Sequence, residues 1–216
     1  MVAPEAHVGN DVRLAPGAVV HAATVLGDGV KVGPGAILGK PPRLSARSRA
    51  SRDEPPPLEV GEAVEVGAGA IVLAGARLGA GARVGEGAHV RERADVGPGT
   101  AIGAHAAVDN DVPIGAAVVI GPGAYVVGGS LVEDAVHVGE AVISANDRTM
   151  GRHPADERHS GVTLRRGCRV GARAVLLPGV EVGRDAVIEP DSVVTRDVPA
   201  GRRAEGVPAR VSKGAA

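Results

Sequence analysis

The sequence predicts an all-β fold, a parallel β-helix of about eight triangular coils forming a single domain over 1–216, by the logic of stacked repeats. Three observations carry this. An aliphatic residue recurs at every sixth position through most of the chain, and a small or β-branched residue follows it four places later. The composition has no Phe, no Trp and a single Tyr against 33 Gly, so the core must be thin and repetitive. A period of six fits neither a helix nor one long strand, but it fits short strands joined by tight corners in which Gly and Asp supply the turns. Three such hexads close one coil.

The elements follow in order. In the first block Val8, Leu14, Val20, Leu26 and Val32 point inward, with Val12, Ala18, Thr24, Val30 and Ala36 as partners, and Leu38 begins a further repeat that breaks at Pro42. Residues 39–59 then leave the register through Lys40, Pro41, Pro42, Arg43, Arg47, Arg49, Arg52 and Pro55 to Pro57. This is a first protruding loop, either a solvated insertion or a flap over a ligand or a neighbouring subunit. The second block is regular from Val60 to Val138, and a second protruding loop spans 145–163. A third block uses Leu164, Val170, Leu176, Val182, Ile188 and Val194, with Cys168 at an inward small position as a packing residue. From about 199 to 216 a Pro- and Gly-containing tail is expected to cap the open end of the prism.

Charge and composition exclude several functions. A formal charge of −1 provides no broad basic field for nucleic acid or for a polybasic membrane contact. The shortage of aromatics removes stacking platforms for single strands. Cys168 is alone, so there is no internal disulfide, and Met1 to Asn10 hold no long apolar signal region; a cytoplasmic protein is the expectation.

The second loop is the chemically richer interruption. Transfer of an acyl group to an amine or hydroxyl needs a base for the nucleophile's proton and a donor for the developing oxyanion. His153, His137, His159 and Asp147 are the candidate bases, since an imidazole titrates near pH 6.5 and is readily tuned. His137, just before Val138, is expected to face outward near the loop, while His7, His21, His89 and His105 read as surface residues. Arg148, Arg152, Arg158, Arg165, Arg166, Arg169 and Arg173 crowd the same stretch. They suit an anionic ligand, because guanidinium groups grip phosphate and carboxylate bidentately, or else they are ordinary solvated corners.

Over nearly the whole chain the repeat resembles the hexapeptide-repeat acyltransferase superfamily. The resemblance implies a left-handed helix, a homotrimer with active sites in the clefts between prisms, and acetyl-coenzyme A as acyl donor. His153-Pro154 is similar to the His-Pro of galactoside and related acetyltransferases, which implies His153 as the base. Ser144-Ala145-Asn146-Asp147 followed by Thr163-Leu164-Arg165-Arg166-Gly167 resembles the pattern of N-acetyltransferases acting on nucleotide-linked amino sugars. That implies Asn146 and Asp147 as substrate contacts, with Arg148 and Arg152 beside them. The corner expected one coil earlier to carry Asn reads Gly121-Pro122-Gly123. Val194-Thr195-Arg196-Asp197-Val198-Pro199 and Gly206-Val207-Pro208-Ala209-Arg210 resemble the closing signature of coenzyme A-using members. By carry-over Ala172, Pro190, Thr195 and Arg196 line the pantetheine and adenine path, and Arg210 and Lys213 stand near the phosphates.

The expected function is acetyl transfer from acetyl-coenzyme A to the amine of an anionic or nucleotide-linked amino sugar, with no resident metal, nucleic acid or membrane partner. Four rivals stand beside it. One is O-acetylation of a sugar or antibiotic hydroxyl, with His153 as base. Another is a small cyclic dicarboxylate acceptor. A zinc carbonic anhydrase of the same fold is disfavoured by the spacing of His153 and His159. The last is a non-catalytic trimeric scaffold.

Overall fold

The computed structural model describes residues 1–46, 48, 50–152 and 159–215, the side chains of 213–215 excepted. The chain winds through three sheets that form the faces of a left-handed parallel β-helix. The first face starts at His7–Val8, the second at Arg13–Leu14 and the third at Val19–Val20. His7 pairs in parallel with Val25 and Val8 with Leu26, so one coil advances eighteen residues, or three hexads. Most strands are two residues long. The second residue of each points inward and is buried through most of the stack, as at Val90, Val126 and Leu164. Cys168 is fully buried among them, and burial raises its thiol pKa to about 12, as a packing residue requires.

The stack is taller than about eight coils: the first and third faces are nine strands deep and the second has eleven. Two strands fall outside the three regular blocks. Ile37–Lys40 extends the first block through buried Leu38. Ile143–Ser144 carries a buried Ser at its inward position. Ser144 is tolerated there because its Oγ donates to Tyr125 O and accepts from Val127 N, each at 2.9 Å, so the buried hydroxyl is fully paired.

The tail forms the other addition. Arg202–Gly206 pairs in parallel with Val187–Ile188 and then antiparallel with Ala209–Ala215, adding the last two strands of the eleven and closing over buried Ala204. No helix of the described residues is long and apolar enough to cross a membrane.

Both loops leave the prism at one edge. The first joins third-face strand Ile37–Lys40 to first-face strand Glu59–Val60; the second joins third-face Ile143–Ser144 to first-face Thr163–Leu164. The excursions themselves are therefore 41–58 and 145–162, slightly shorter than the sequence suggests. This loop edge differs chemically from the other two. Elsewhere the residue after the inward aliphatic is usually Gly, because coils lie only about 4.8 Å apart and a side chain there would strike the next coil. At the loop edge the same position holds His21, then Gly39, and then Leu73, Arg91, Asp109, Val127, Ala145, Leu177 and Thr195. From Leu73 onward this edge presents an unbroken column of side chains.

Candidate functional site

The tail brings together three of the residues singled out for the acyl donor. Thr195 and Arg196 lie at the last corner of the loop edge, and Arg210 opens the final strand; with Asp197 and Pro208 they line a cavity of about 290 Å³. Arg196 and Arg210 are exposed and have no ion-pair partner among the described residues, so both guanidinium groups are free to meet phosphate. Ala172 and Pro190 sit elsewhere. They stack in successive coils at the edge between the second and third faces, where Asp191 N donates to Ala172 O at 2.9 Å. The third face therefore lies between the two groups. Lys213 is in the final strand, and its side chain is outside the description.

The second loop is laced onto its own edge. Asn146 Nδ2 donates to Gly128 O at 2.9 Å in the coil before, and Arg148 Nη2 donates to Pro178 O at 2.5 Å in the coil after. Asp147 folds the loop on itself: Oδ1 accepts from Thr149 N and Oγ1 at 2.7 and 2.8 Å, and Oδ2 accepts from Gly151 N at 2.6 Å. Asn146 and Asp147 thus already have intramolecular work, and Arg152 is exposed beside them. The coil before Asn146 presents Gly128; Gly121-Pro122-Gly123 belongs to the opposite edge of the third face. His153 and Arg158 lie outside the described residues. His137 does not lie near the loop within one chain, contrary to expectation. It starts a second-face strand, paired to Val119 and Arg169, and the second face is the one opposite the loop edge.

The arginine crowd also separates. Arg165 and Arg166 stand at the first-to-second edge, Arg169 on the second face and Arg173 at the second-to-third edge, so of the group's described members Arg148 and Arg152 alone share the loop edge. Acidic residues of neighbouring coils claim three of them. Arg165 bridges Glu133 and Glu181 at 2.8 Å each, Arg166 meets Asp134 at 2.6 Å, and Arg173 grips Asp191 with two bonds of 2.6 Å. The guanidinium of Arg165 holds the Glu133 carboxyl below its ordinary value, and that of Arg173 does the same for Asp191. Sequence crowding misled here because eighteen residues wrap once around the prism and scatter neighbours over three edges.

What sequence reading missed lies lower on the loop edge. Glu92 is fully buried, yet it accepts from Arg91 Nη2 at 2.7 Å and Nε at 3.2 Å. Arg91 Nη1 then reaches Asp109 Oδ1 at 2.5 Å, and the Tyr125 hydroxyl donates to Asp109 Oδ2 at 2.9 Å. Burial disfavours the charge on Arg91, but Glu92 and Asp109 outweigh it and its pKa is raised. Burial, then the charge of Asp109 and the hydrogen bond to it, push Tyr125 up to about 12. His89, read as a surface residue, is half-buried beside this network. Its pKa is lowered first by burial and then by Arg91, against the smaller pull of Glu92 and Asp109. The sequence held a signal for all this: a period of eighteen, in which every third corner lacks its Gly. Among the described residues no group of three or more His, Cys, Asp or Glu is arranged to hold a metal ion.

The fold and these sites define a class, the parallel β-helix built of hexapeptide repeats with loops thrown from one edge. Residues 5–40 and 161–196 match the family described as bacterial transferase hexapeptide (six repeats). A 2,3,4,5-tetrahydropyridine-2,6-dicarboxylate N-acetyltransferase of Staphylococcus aureus (strain JH9) is 50% identical over 44 residues, 20% of this chain and 18% of that protein. The match therefore spans less than a fifth of that relative's length. Among solved structures, a truncated serine acetyltransferase apoenzyme is 26% identical, with a TM-score of 0.38 over 52% of this chain and 43% of its own. LpxA from Acinetobacter baumannii is 16% identical, with a TM-score of 0.48 over 98% of this chain and 71% of its own.

Proposed function

We propose that the chain is an acetyl-coenzyme A-dependent acetyltransferase, acting on the amine of an anionic or nucleotide-linked amino sugar as one subunit of a homotrimer. One observation carries the reading: Thr195, Arg196 and Arg210, drawn from two separate segments of the closing signature, line a single cavity. The unpaired guanidinium groups of Arg196 and Arg210 fit the phosphates of the donor, and the neighbouring third face, bounded by Ala172 and Pro190, gives an extended path for its arm. The donor is a substrate here and supplies the thioester carbonyl. The chain's part is to hold it, to present the acceptor amine, and to take the proton the amine loses on attack. His153 is the base by resemblance. His137 reaches a reacting centre only across a subunit boundary, since it lies on the far face of its own prism. The second loop offers Asn146, Asp147, Arg148 and Arg152 to the acceptor. Asn146 and Asp147 would exchange internal partners for substrate, while exposed Arg152 is ready to meet its anionic part.

A second acceptor has a specific observation in its favour, the relative whose printed name gives a tetrahydropyridine dicarboxylate. Such a dicarboxylate makes the same demand on Arg148 and Arg152, so acceptor screening belongs after donor binding is established.

Calorimetric titration with acetyl-coenzyme A tests the core of the proposal. Saturable binding is expected, and Arg210→Ala should weaken it about tenfold to a hundredfold, the value of one charge-assisted hydrogen bond to phosphate. No binding at millimolar donor would sink the transferase reading and leave the scaffold.

A further inference from the structure

Beneath the first loop lies a cavity of about 400 Å³ that belongs to neither the tail nor the second loop. It sits at the fourth coil of the loop edge, three coils or roughly 14 Å before the second loop at the usual strand spacing. His89, Arg91 and Glu92 form the floor, and Lys40, Arg43 and Ser45 come from the end of strand Ile37–Lys40 and the loop that follows it.

The charges around this cavity fall into two sets. Arg91 is committed below to Glu92 and Asp109, two carboxylates against one guanidinium, so the floor is held by ion pairs and offers no spare cation of its own. Lys40 and Arg43 have no ion-pair partner among the described residues. They bring two uncompensated positive charges to the mouth of a partly enclosed space, where Coulombic attraction is stronger than in bulk water. His89 stands between these sets, half-buried, its imidazole without a hydrogen-bond partner among the described residues. A planar guanidinium fork, a point-charge ammonium and an imidazole converging on one space form a donor set for the oxygens of a diphosphate. A hydroxyl from Ser45 is within the same lining.

We propose that this cavity binds the diphosphate group of a small molecule, held by Lys40 and Arg43 from the loop and by His89 from the prism. The loop is then a clasp whose cations complete the site. The groups facing His89 are Arg91, Glu92 and Asp109 from the prism and Lys40 from the loop strand, with Arg43 in the same lining. Burial first, and then the charge of Arg91, lower the pKa of the imidazole, against the opposing pull of Glu92 and Asp109. A bound anion reverses that balance, so His89 takes up a proton as the ligand enters, and affinity rises as pH falls.

Inorganic pyrophosphate is the probe, titrated calorimetrically into the full-length protein. Saturable binding is expected. In the Arg210→Ala background, which removes a phosphate contact proposed at the tail, saturable binding should persist, and it should weaken at least tenfold when Lys40→Ala or Arg43→Ala is added, both of which remove only partly or fully exposed side chains. The Arg210 control separates this site from donor binding at the tail. Imidazole NMR of the wild-type protein, with His89→Gln to assign the resonance, should show the His89 pKa rising on addition of pyrophosphate. Absence of saturation at millimolar pyrophosphate, binding lost in Arg210→Ala but kept in the loop variants, or a His89 titration indifferent to the ligand would each overturn the proposal.

Discussion

At the residue scale the same amino acid serves two unrelated purposes, and they can be separated by mutation. Gly97 has no strained dihedral, but a Cβ built on it would lie 2.5 Å from Gly115 C and O in the next coil. Backbone cannot retreat from that contact without opening the stack. Gly81 is the reverse case: a Cβ would meet nothing within 4 Å, but its φ is +66° in the left-handed region. Other hexads place Ala at that corner, as at Ala63 and Ala117 with φ of 53°, so the conformation is tolerable to an L-residue at a cost of about 1 kcal/mol. Gly97→Ala should therefore destabilise by about 3 kcal/mol, the upper range for overpacking, against about 1 kcal/mol for Gly81→Ala. Urea unfolding of the two variants checks this. Equal losses would mean that the corners yield to a methyl group and that close stacking of coils does not select the glycine.

At the element scale the loop edge is rich in side chains at the first corner position, where the other two edges usually hold Gly. The chain of contacts from Glu92 through Arg91 and Asp109 to Tyr125 crosses three successive coils there. How much of this was legible is instructive. The inward hexad positions gave the strands, the core and both loops, since burial enforces a strict alternation that survives in the sequence. Leu38 and Ser144 were the exceptions, one truncated by Pro42 and the other polar. The site residues were harder, because a side chain's edge depends on its phase within eighteen residues and its partners lie one coil away. The tail segments with Thr195, Arg196 and Arg210 could be found as contiguous motifs, whereas Arg91, Asp109 and Tyr125 meet only through the coil register. As the chain's one tyrosine, Tyr125 reports on this network without interference. Its folded pKa of about 12 exceeds the ordinary 10.0, so the native state holds the phenol proton more tightly than the unfolded chain does. The associated stability is complete below pH 10 and is lost as pH rises through 12, amounting to no more than about 2 kcal/mol for a half-buried group. Near-ultraviolet absorbance should show phenolate forming near pH 12 in the folded protein, moving toward 10 in Asp109→Asn. A wild-type titration at the ordinary value would remove Asp109 as the cause.

At the scale of the whole molecule a β-helix has ends, and an uncovered end offers unpaired strand edges to any similar surface. The C-terminal end is covered by the hairpin of Arg202–Gly206 and Ala209–Ala215. Its Ala204 is buried against the last coil, pairing with Ile188. The same hairpin supplies Arg210 to the cavity proposed for the acyl donor, so one segment both caps the prism and completes a site. A chain ended after Ala200 therefore loses two things through one structural cause. It should bind acetyl-coenzyme A no more tightly than Arg210→Ala does, and it should also associate end to end, with a mass that grows with concentration. Arg210→Ala, which keeps the hairpin, should lose affinity but retain a fixed mass, expected to be three times the 21.4 kDa of one chain. Light scattering on the two proteins distinguishes these roles. If the shortened chain keeps the same fixed mass and the same melting temperature, the hairpin serves the ligand alone, and the inner coils must secure the end by themselves.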